Sequence, residues 1–517
     1  MSWEREIAEL ERRRRLAAEM GGPERVARHR AQGRLTVRER IQALLDPDSF
    51  HEIGGLAGVG TYADGELKAF RPANFVFGTG TIAGRRVVVA GDDFTVRGGA
   101  ADGSVVGKQE YAERLAQTYR IPIIRLVDGS GGGGSVRTLE TMGHTYVPVN
   151  PAWDLVVANL GLVPVVSACL GSVAGLGAAR VVASHFSIMV AGTAQLFVAG
   201  PPVVKYGTGE DVDKESLGGA EVHRRSGAVD NIAGSETEAF AQIRRFLSYL
   251  PANVFEMPPV LEADDPPDRR EDALLDFIPR DRRKPYRVRP LLELIFDRGS
   301  LFEIGRTHGG SLVTALARLE GHPVGVVASD PFIGGGALTA EASWKLERFV
   351  DLCDTFHLPL VSLIDQPGLA IGRQAEQKAT IRWGTRAIVA VYQARVPMAA
   401  VIVRRMFGVG GAGMVNQHAL TRRFAWPSAD WGSLPVEGGL EAAYRRELEA
   451  SADPSATRAE ILARLDAVRS PFRTAEVFGI EEIIDPRDTR PLLCEWVRDV
   501  WPTLTATLGP PGRAMRP

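Results

Sequence analysis

Residues 120–131 read RIPIIRLVDGSG, and residues 357–368 read HLPLVSLIDQPG. Both stretches are short apolar runs that end in an aspartate and a glycine, which is the pattern of a buried β-strand that stops at a turn. The distance between them is the length of a whole domain, too long for the repeat unit of a solenoid. The sequence therefore predicts two related domains in tandem.

The sequence around these two stretches repeats in the same order. The apolar run RRVVVAGDDF (85–94) precedes the first copy, and HPVGVVASDPF (322–332) precedes the second. After them come VPVVSACLGSVAGLGAA (163–179) and VPMAAVIVRRMFGVGGAGM (396–414), each a strand-like run that enters a glycine-rich turn. Strand and helix signals alternate through both halves, so the predicted fold class is α/β, with sheets covered by helices.

Composition places the boundary between the two copies. The segment 261–289 is rich in proline and charge and lacks the periodicity of a core element, as expected of a linker. We predict a first domain over 1–260, a linker over 261–289 and a second domain over 290–517. Near the N-terminus, Thr36 followed by Glu39 has the spacing of a capping box at a helix start.

Charge and cysteine content exclude several classes of protein. The formal net charge of the 517-residue chain is −2, so no overall field attracts nucleic acid or an anionic membrane. Its cysteines, Cys169, Cys353 and Cys494, form no CxxC pair, which indicates buried thiols and not a zinc ribbon or a disulfide framework. His185 and His223 lack partners at metal-ligand spacing, so we expect no metal site. No long uncharged apolar run occurs, and we expect a cytoplasmic protein.

The glycine-rich turns carry the chemical signal. In each half a strand enters a tight turn and then a helix, which leaves several backbone N–H groups without intrahelical acceptors. The helix dipole favours negative charge there, and glycine lets a ligand approach the backbone closely. Each donor aimed at an oxyanion contributes about 3 kcal/mol in a transition state. The two turns predict a pair of oxyanion-binding sites; the alternative is that their glycines only allow close packing. No GxxxxGK[ST] motif occurs, so a phosphate loop is a poor fit.

Three segments resemble a single enzyme family. They are AQGRLTVRERIQALLDPDSF (31–50), VAGPPVVKYGTGEDVDKESLGGAEVHRRSGAVDNIA (198–233) and DPRDTRPLL (485–493). Their series of motifs resembles the carboxyltransferase (β) subunits of acyl-CoA carboxylases, of the propionyl-CoA and methylcrotonyl-CoA carboxylase kind. The resemblance covers nearly the whole chain in the family's order and spacing.

The resemblance implies two tandem crotonase-like (ClpP/crotonase) domains, each built of repeated ββα units. It also implies dimers, usually stacked into hexamers, with the active site between the first domain of one subunit and the second domain of its partner. The first domain binds the acyl-CoA substrate, and the second receives carboxybiotin from a separate biotin carboxylase or biotin carboxyl carrier subunit. No biotin-attachment sequence of the AMKM type occurs, so we expect the biotin on that partner.

By the same resemblance, Gly175 and Leu176 face the thioester oxygen of the acyl-CoA, and Gly408 and Val409 face the ureido oxygen of biotin. The carboxyl group passes from carboxybiotin to the α-carbon or vinylogous carbon of the acyl-CoA through an enolate held by backbone donors. This chemistry needs no side-chain acid or base, in agreement with the lack of an obvious catalytic triad or carboxylate pair. The chain is thus expected to be a carboxyltransferase, a transferase or ligase subunit.

The family's motifs mark further positions around each substrate. On the acyl-CoA side these are Gly131, Gly132, Arg137, Ala174, Gly177 and Ala412. On the biotin side these are Pro367, Gly368, Gly372, Phe407 and Gly410. For Arg137, contact with a CoA phosphate and an exposed loop position without a partner are both open.

Two more features have competing interpretations. Asp128 and Asp365 end the matching strands, and we expect them to cap turns, with substrate positioning as the alternative. In relatives of the resembled family, the region corresponding to Arg34–Arg38 lies near the CoA adenine, which gives it a candidate binding role.

Both turns depart from the family in the same way. Relatives read Ala-Gly-Gly-Ala and Tyr-Gly-Gly-Ala there, whereas this chain reads AGLG at 174–177 and FGVG at 407–410. A bulky or β-branched residue resists positive φ, so either φ stays negative at Leu176 and Val409 or the oxyanion holes lie one residue away. The alternative functions are a non-catalytic paralogue in a carboxylase complex and a carboxyltransferase that runs in the decarboxylation direction. A crotonase-type hydratase would need paired carboxylates near the first turn, and none is evident there.

Overall fold

The chain forms two compact units. Unit 1 comprises Met1–Glu256 together with Gly509–Pro517, and unit 2 comprises Met257–Leu508. The computed structural model describes residues 2–100, 103, 105–129, 139–140, 142–417 and 421–516. The C-terminal residues belong to unit 1, where the N–H of Gly509 donates to the carbonyl of Val254 at 2.7 Å.

Unit 1 alternates strands and helices. Its strands are β1 His51–Ile53, β2 Gly58–Ala63, β3 Glu66–Pro72, β4 Phe75–Ile82, β5 Arg85–Asp92, β6 Ile123–Val127, β7 Val165–Cys169, β8 Ser172–Ala174, β9 Phe186–Val190, β10 Gln195–Phe197 and β11 Asn231–Ala233. Its α-helices are α1 Glu4–Ala18, α2 Pro23–Ala31, α3 Val37–Leu44, α4 Val106–Tyr119, α5 Trp153–Asn159, α6 Leu176–Val182, α7 Pro201–Thr208, α8 Lys214–Gly218, α9 Ala220–Ser226 and α10 Glu236–Tyr249. A short 3-10 helix spans Arg97–Gly99.

Unit 2 repeats this order. Its strands are β12 Phe302–Ile304, β13 Leu312–Leu319, β14 His322–Ser329, β15 Leu360–Gln366, β16 Met398–Phe407, β17 Thr421–Ala425, β18 Asp430–Gly432 and β19 Glu482–Ile483. Its α-helices are α11 Val288–Ile295, α12 Ala340–Thr355, α13 Arg373–Gln377, α14 Thr380–Gln393, α15 Gly408–Ala412, α16 Val436–Ala443, α17 Arg445–Ala450, α18 Pro454–Val468, α19 Pro471–Glu476 and α20 Thr489–Val500. Its 3-10 helices are Asp272–Leu274, Gly334–Gly336, Pro486–Asp488 and Trp501–Thr507.

The main sheets of the two units have the same topology. The strand order is β1-β4-β5-β6-β7-β9-β11 in unit 1 and β12-β13-β14-β15-β16-β17-β19 in unit 2, where β18 also pairs with β16. In each sheet the first three strands are antiparallel and the others are parallel. The central parallel strands are buried along their whole length, which explains why they read as continuous apolar runs.

The segment 261–289, which the sequence suggests as a linker, packs within unit 2. Leu274 and Tyr286 are buried in the hydrophobic core of that unit, and Arg269 donates to the carbonyls of Leu294 and Phe296 at 2.9 and 3.0 Å. The segment 261–289 is therefore an irregular strap that side chains hold against unit 2. Because it has no regular secondary structure, its sequence has no periodicity.

The predicted capping box is confirmed. The N–H of Thr36 donates to the carboxylate of Glu39 at 2.7 Å, and the N–H of Glu39 faces the hydroxyl of Thr36 at 3.4 Å, at the start of α3. None of the helices in the described part of the chain combines the length and the apolar character needed to cross a bilayer.

Candidate active site

The first glycine turn connects β7 to α6 through β8. Gly175 has a φ of +59° and is the N-cap of α6, a conformation that glycine adopts without strain. Leu176, the first residue of α6, is not among the non-glycine residues with positive φ. Of the two alternatives that the sequence left open, φ therefore stays negative at the bulky residue, and the glycine before it makes the turn.

Hydrogen bonds identify the N–H groups that remain at this turn. The N–H of Gly175 donates to the carbonyl of Phe197 at 3.3 Å, and the N–H of Ala179 donates to the carbonyl of Gly175 at 3.0 Å. The N–H groups between them, including those of Leu176 and Gly177, precede the first bond within α6 and have no intrahelical acceptor. Donors thus survive the replacement of glycine by leucine, and they lie at Leu176 and Gly177. The N–H of Gly175, which the resemblance assigns to the thioester oxygen, is instead bonded to the carbonyl of Phe197.

The second glycine turn connects β16 directly to α15. Gly408 has a φ of +58°, close to that of Gly175, and Val409 is likewise absent from the residues with positive φ. Phe407, the last residue of β16, is buried, whereas the side chain of Val409 is 60 % exposed. The two turns therefore share one backbone conformation: a glycine with a positive φ is followed by a large apolar residue at the start of the helix.

The second turn packs against the predicted biotin-side loop. A Cβ atom on Gly410 would lie 2.7 Å from the backbone N of Leu369 and 2.8 Å from the carbonyl carbon of Gly368, so only glycine allows this approach. Gly368 has a φ of +124°, and Gly372, with a φ of +103°, is the N-cap of α13. The structure thus brings the loop that holds Pro367 and the FGVG turn together and gives Gly410 a packing role.

A cavity of about 190 Å³ opens beside the second turn. Gly408 and Ala412 both line it, together with Met406 and Trp431. Ala412 was predicted on the acyl-CoA side, and in the structure it shares this cavity with Gly408.

Ala174, the last residue of β8, lies opposite Phe197 in the β8-β10 pair.

A smaller cavity, of about 30 Å³, lies beneath the first turn, and Leu176 and Gly177 line it together with Asp92. Burial raises the pKa of Asp92 to about 6, while the N–H of Asp128, which donates to its carboxylate at 3.1 Å, acts in the opposite direction. This carboxyl group could not be singled out from the sequence, because Asp92 reads as the polar end of an apolar strand.

A basic cavity of about 360 Å³ lies elsewhere in unit 1. Arg25, Arg28 and Arg97 line it, with the ring of Phe94 and the buried His29. Arg97 holds a φ of +57°, a conformation that costs a non-glycine residue about 1–2 kcal/mol. The positive charge and the aromatic ring together suit a phosphorylated group that carries a planar ring.

The predicted region Arg34–Arg38 is engaged inside unit 1. Arg34 is buried and donates to the carbonyl of Thr193 at 2.6 Å, and Arg38 donates to the carboxylate of Glu52 at 2.8 Å. The arginines that line the basic cavity come instead from α2 and from the 3-10 helix after β5.

The strand-end aspartates form buried ion pairs. Arg40 donates to Asp128 at 2.7 Å and also to Glu236 at 2.7 Å. Burial alone would lower the pKa of Arg40, but the two carboxylates outweigh it and hold the pKa above its usual value. The sequence did not reveal these ion pairs, because an acid at the end of a strand looks the same in sequence whether its partner is local or distant. Capping by Asp128 stays a prediction, since residues 130–138 lie outside the described residues.

In unit 2 the partner of the aspartate comes from the neighbouring strand. Arg404 donates to Asp365 at 2.9 Å, and Arg405 donates to its other oxygen at 2.6 Å. Arg405 also donates to the carbonyl of Gly335 at 2.7 Å. The sequence did contain a signal for this cluster, because two adjacent arginines inside the apolar run of β16 must find buried partners.

Three predicted acyl-CoA-side residues, Gly131, Gly132 and Arg137, lie outside the described residues. All three cysteines are free and buried, as predicted, and burial raises the pKa of the Cys494 thiol to about 12. Within the described part of the chain, no group of three or more His, Cys, Asp or Glu side chains is arranged to hold a metal ion.

Comparison with known proteins yields consistent matches over almost the whole chain. A sequence profile described as "Carboxyl transferase domain" matches residues 28–503. The propionyl-CoA carboxylase carboxyltransferase subunit of Haloferax mediterranei is 34% identical over 95% of this chain and 95% of that protein. The methylmalonyl-CoA carboxyltransferase 12S subunit of Propionibacterium freudenreichii subsp. shermanii is also 34% identical, over 94% of this chain and 92% of its own length.

The solved structures agree with the sequence matches. The crystal structure of the transcarboxylase 12S hexamer with methylmalonyl-coenzyme A and methylmalonic acid bound superposes with a TM-score of 0.88, at 33% sequence identity. The match covers 100% of this chain and 97% of that one. The tandem crotonase-like α/β fold that the sequence predicted is thereby confirmed.

Proposed function

The chain belongs to the carboxyl transferase domain family, and on that premise we propose that its two units divide the reaction between the two substrates. The chain is a carboxyltransferase that transfers a carboxyl group between biotin and an acyl-CoA, with the biotin carried by a separate subunit. In this proposal unit 1 holds the acyl-CoA and unit 2 holds the carboxybiotin. The observation that supports it is the matched pair of turns, in which Gly175 and Gly408 have the same φ to within a degree and each precedes or opens a helix.

In unit 1, the proposed role of the turn is to stabilise the enolate of the thioester. The N–H groups at Leu176 and Gly177 lie at the start of α6, where the helix dipole favours negative charge. Removal of one such donor from an oxyanion site typically lowers kcat by a factor of about 10²–10³. Negative charge that develops on the thioester oxygen would be met here by backbone donors that need no change of protonation.

In unit 2, the proposed role of the second turn is to hold the ureido oxygen of biotin. The N–H groups of Gly408 and Val409 begin α15, and the adjoining cavity of about 190 Å³ offers space for a bicyclic ring. Gly410 keeps the loop around Pro367 against this turn. Backbone donors suit this task because they bind the oxygen without supplying or removing a proton.

The basic cavity of unit 1 is the proposed site for the phosphorylated end of CoA. Arg25, Arg28 and Arg97 supply the positive charge that its phosphates require, and Phe94 offers a ring face for the adenine. Arg97 holds a φ of +57°, and its place in the lining of this cavity, beside Arg25 and Arg28, is what supports a binding role.

The acyl group, the direction and the assembly are proposed from the relatives. Two relatives are named for propionyl-CoA carboxylase and methylmalonyl-CoA carboxyltransferase, so we propose propionyl-CoA as acceptor and methylmalonyl-CoA as product, with carboxylation as the forward direction. The 12S relative is described as a hexamer, and we propose the same assembly here, with a biotin carboxyl carrier as partner.

The test is a substrate panel on the purified full-length protein. With free biotin present, methylmalonyl-CoA should be decarboxylated faster than malonyl-CoA or a longer branched analogue, and the rate should rise with biotin concentration. The absence of turnover with every thioester, together with the absence of CoA binding in calorimetry, would exclude the enzyme. Faster turnover of a different thioester would change the proposed acyl group and leave the proposed carboxyltransferase activity intact.

A glycine variant tests the assignment of the second turn. Gly408→Val places a β-branched residue at a φ of +58°, and its Cβ atom would lie 3.1 Å from the carbonyl of Ser433. We expect biotin-dependent decarboxylation to fall by a factor of about 10² or more, with CoA binding unchanged. Gly438→Val is the matched control, because no atom lies within 4 Å of its Cβ position. Full activity in Gly408→Val would place the biotin site elsewhere.

A further inference from the structure

A separate cavity of about 620 Å³ lies in unit 2, and no residue of the two glycine turns lines it. Four arginines, Arg280, Arg282, Arg404 and Arg469, reach its lining, against a single acidic residue, Asp466. Its volume falls within the range of about 300–1,000 Å³ that is typical of small-molecule sites. The reaction as described above gives this cavity no role.

The arginines differ in how far they are neutralised. Arg282 pairs with Asp430 at 2.6 Å, and Arg469 pairs with Asp466 at 2.9 Å. Arg280 is exposed, and among the described residues it has no ion-pair partner. The cavity thus keeps a surplus of positive charge, with Arg280 as its least committed cation.

The rest of the wall is mainly apolar, with two serines, Ser428 and Ser470, among its residues. Trp426 and Leu274 are its buried members, and Ile278 and Pro471 also contribute to it. An apolar wall with a few convergent charged groups is the usual composition of a ligand site, because burial supplies affinity and the charges supply orientation. A small organic anion fits this combination better than a bare inorganic ion.

Arg404 connects this cavity to the proposed biotin side. Its guanidinium lines the cavity and also donates to Asp365 at 2.9 Å. The other oxygen of Asp365 holds Arg405 at 2.6 Å, and Arg405 in turn holds the carbonyl of Gly335 at 2.7 Å. Gly408 follows in the same stretch of chain, immediately after β16. A charge placed beside Arg404 therefore acts on the end of β16, which carries the second turn, through the two hydrogen bonds that Asp365 accepts from Arg404 and Arg405.

We propose that this cavity binds a multiply charged small anion, with phosphate or carboxylate groups, and that its occupancy weakens the biotin half of the reaction. The anion competes with Asp365 for Arg404. When Asp365 loses this hydrogen bond, its carboxylate is less well fixed and its hydrogen bond with Arg405 weakens. The binding site itself does not depend on the proposed function, whereas its effect on biotin rests on it.

The first experiment measures binding to the full-length protein by calorimetry, with inorganic pyrophosphate and with citrate as probes. Saturating CoA is present throughout, so that the basic cavity of unit 1 is already occupied. We expect saturable binding of at least one probe, and a tenfold or greater loss of affinity in Arg280→Gln. Preference for pyrophosphate would identify a phosphate ligand, and preference for citrate a carboxylate ligand.

Arg473→Gln is the matched control, because Arg473 is an exposed arginine in α19 that does not line the cavity. It should bind the probes as the unmodified protein does. Failure of both probes to saturate, or equal affinity in Arg280→Gln and the unmodified protein, would overturn the site.

The second experiment measures biotin-dependent decarboxylation with the better probe present. The KM for free biotin should rise about fivefold, the KM for the acyl-CoA should stay constant, and Arg280→Gln should abolish the change. Binding that leaves the KM for biotin unaltered would overturn the connection through Arg404. Since calorimetry does not require turnover, an inactive protein that still binds the probe would contradict the proposed function and not the site.

Discussion

The two units have the same strand order but neutralise their strand-end aspartates differently. In unit 1, Asp128 pairs with Arg40, which comes from α3. In unit 2, Asp365 pairs with Arg404 and Arg405, which come from the adjacent strand β16. Both copies therefore keep the aspartate, but the cation that neutralises it comes from a different element in each copy.

Local sterics explain the exchange. Counted from Val163 and Val396, which open the matching stretches, the counterpart of Arg404 in unit 1 is Gly171. A Cβ atom there would lie 1.8 Å from the carboxylate of Asp128, so no side chain can take the place of Arg404. Because a buried carboxylate without a partner is strongly destabilising, a cation must arrive from another element. In the two copies, the need of the buried aspartate for a cation is therefore kept, whereas the residue that supplies the cation differs.

The largest expected effect concerns these ion pairs. Arg40→Met should lower the free energy of unfolding by about 3–5 kcal/mol, because it removes the cation that hydrogen-bonds both Asp128 and Glu236, and the nearest other arginine, Arg34, lies 3.9 Å from Asp128. Arg404→Met should have a smaller effect, about 1–2 kcal/mol, because Arg405 still donates to Asp365. Urea denaturation, with hydrogen exchange in β6 and β15 to report on each unit, measures both. Equal losses in the two variants would show that Arg405 does not substitute for Arg404.

The next effect compares the two turns. Gly408→Ala should reduce kcat/KM for free biotin by a factor of about 10², because its Cβ atom meets the carbonyl of Ser433 and its φ is positive. Gly175→Ala should lower turnover less, because no atom lies within 4 Å of its Cβ position and only the unfavourable φ remains, at about 1–2 kcal/mol. Steady-state kinetics with biotin and acyl-CoA varied separately gives both numbers. A larger loss in Gly175→Ala would mean that steric contact is not what separates the turns.

A third effect distinguishes Asp92 from Ser329, its counterpart at the end of β14. The pKa of Asp92 is raised to about 6, so the folded state binds its proton more tightly than the unfolded chain does. Its contribution to stability is present at low pH and is lost as the pH rises through about 6. Asp92→Asn should therefore be more stable than the unmodified protein by roughly 3 kcal/mol at pH 8, and the gap should close below about pH 4.

Unfolding in urea across this pH range measures the difference. Ser329→Ala serves as the control in unit 2 and should show no pH-dependent change, because a hydroxyl group does not titrate in this range. A constant gap between Asp92→Asn and the unmodified protein at every pH would indicate a packing effect in place of a titration.

The smallest expected effect compares Arg97 with Gly334, which has a φ of +56° in the corresponding 3-10 helix of unit 2. Arg97→Gly should raise the free energy of unfolding by about 1 kcal/mol, because it relieves an unfavourable φ. If the side chain binds CoA phosphate, the KM for acyl-CoA should rise about tenfold. Arg97→Asn tolerates the same backbone conformation without the charge and should raise the KM equally. An unchanged KM in both variants would remove Arg97 from the proposed CoA site.

Much of the fold was readable because its signals are local. The apolar runs of β5, β6 and β7 and the glycines that follow them recur in unit 2, and the sheets that they form have the same strand order. The positions of Gly175 and Gly408 were readable for the same reason, since a positive φ at the end of a strand selects glycine. The strap 261–289 was not, because its anchors, such as Arg269, contact carbonyls of a distant helix end.

The sequence by itself determined the duplication, the family and the two turns, because each depends on the order of residues within a short stretch. Only the tertiary structure decided that Leu176 and Val409 keep negative φ, that Gly410 makes room for the backbone of Leu369, and that Asp128 and Asp365 take their cations from different elements. These outcomes depend on distances between residues that lie far apart along the chain. Packing sets those distances, and no local pattern of residues encodes them.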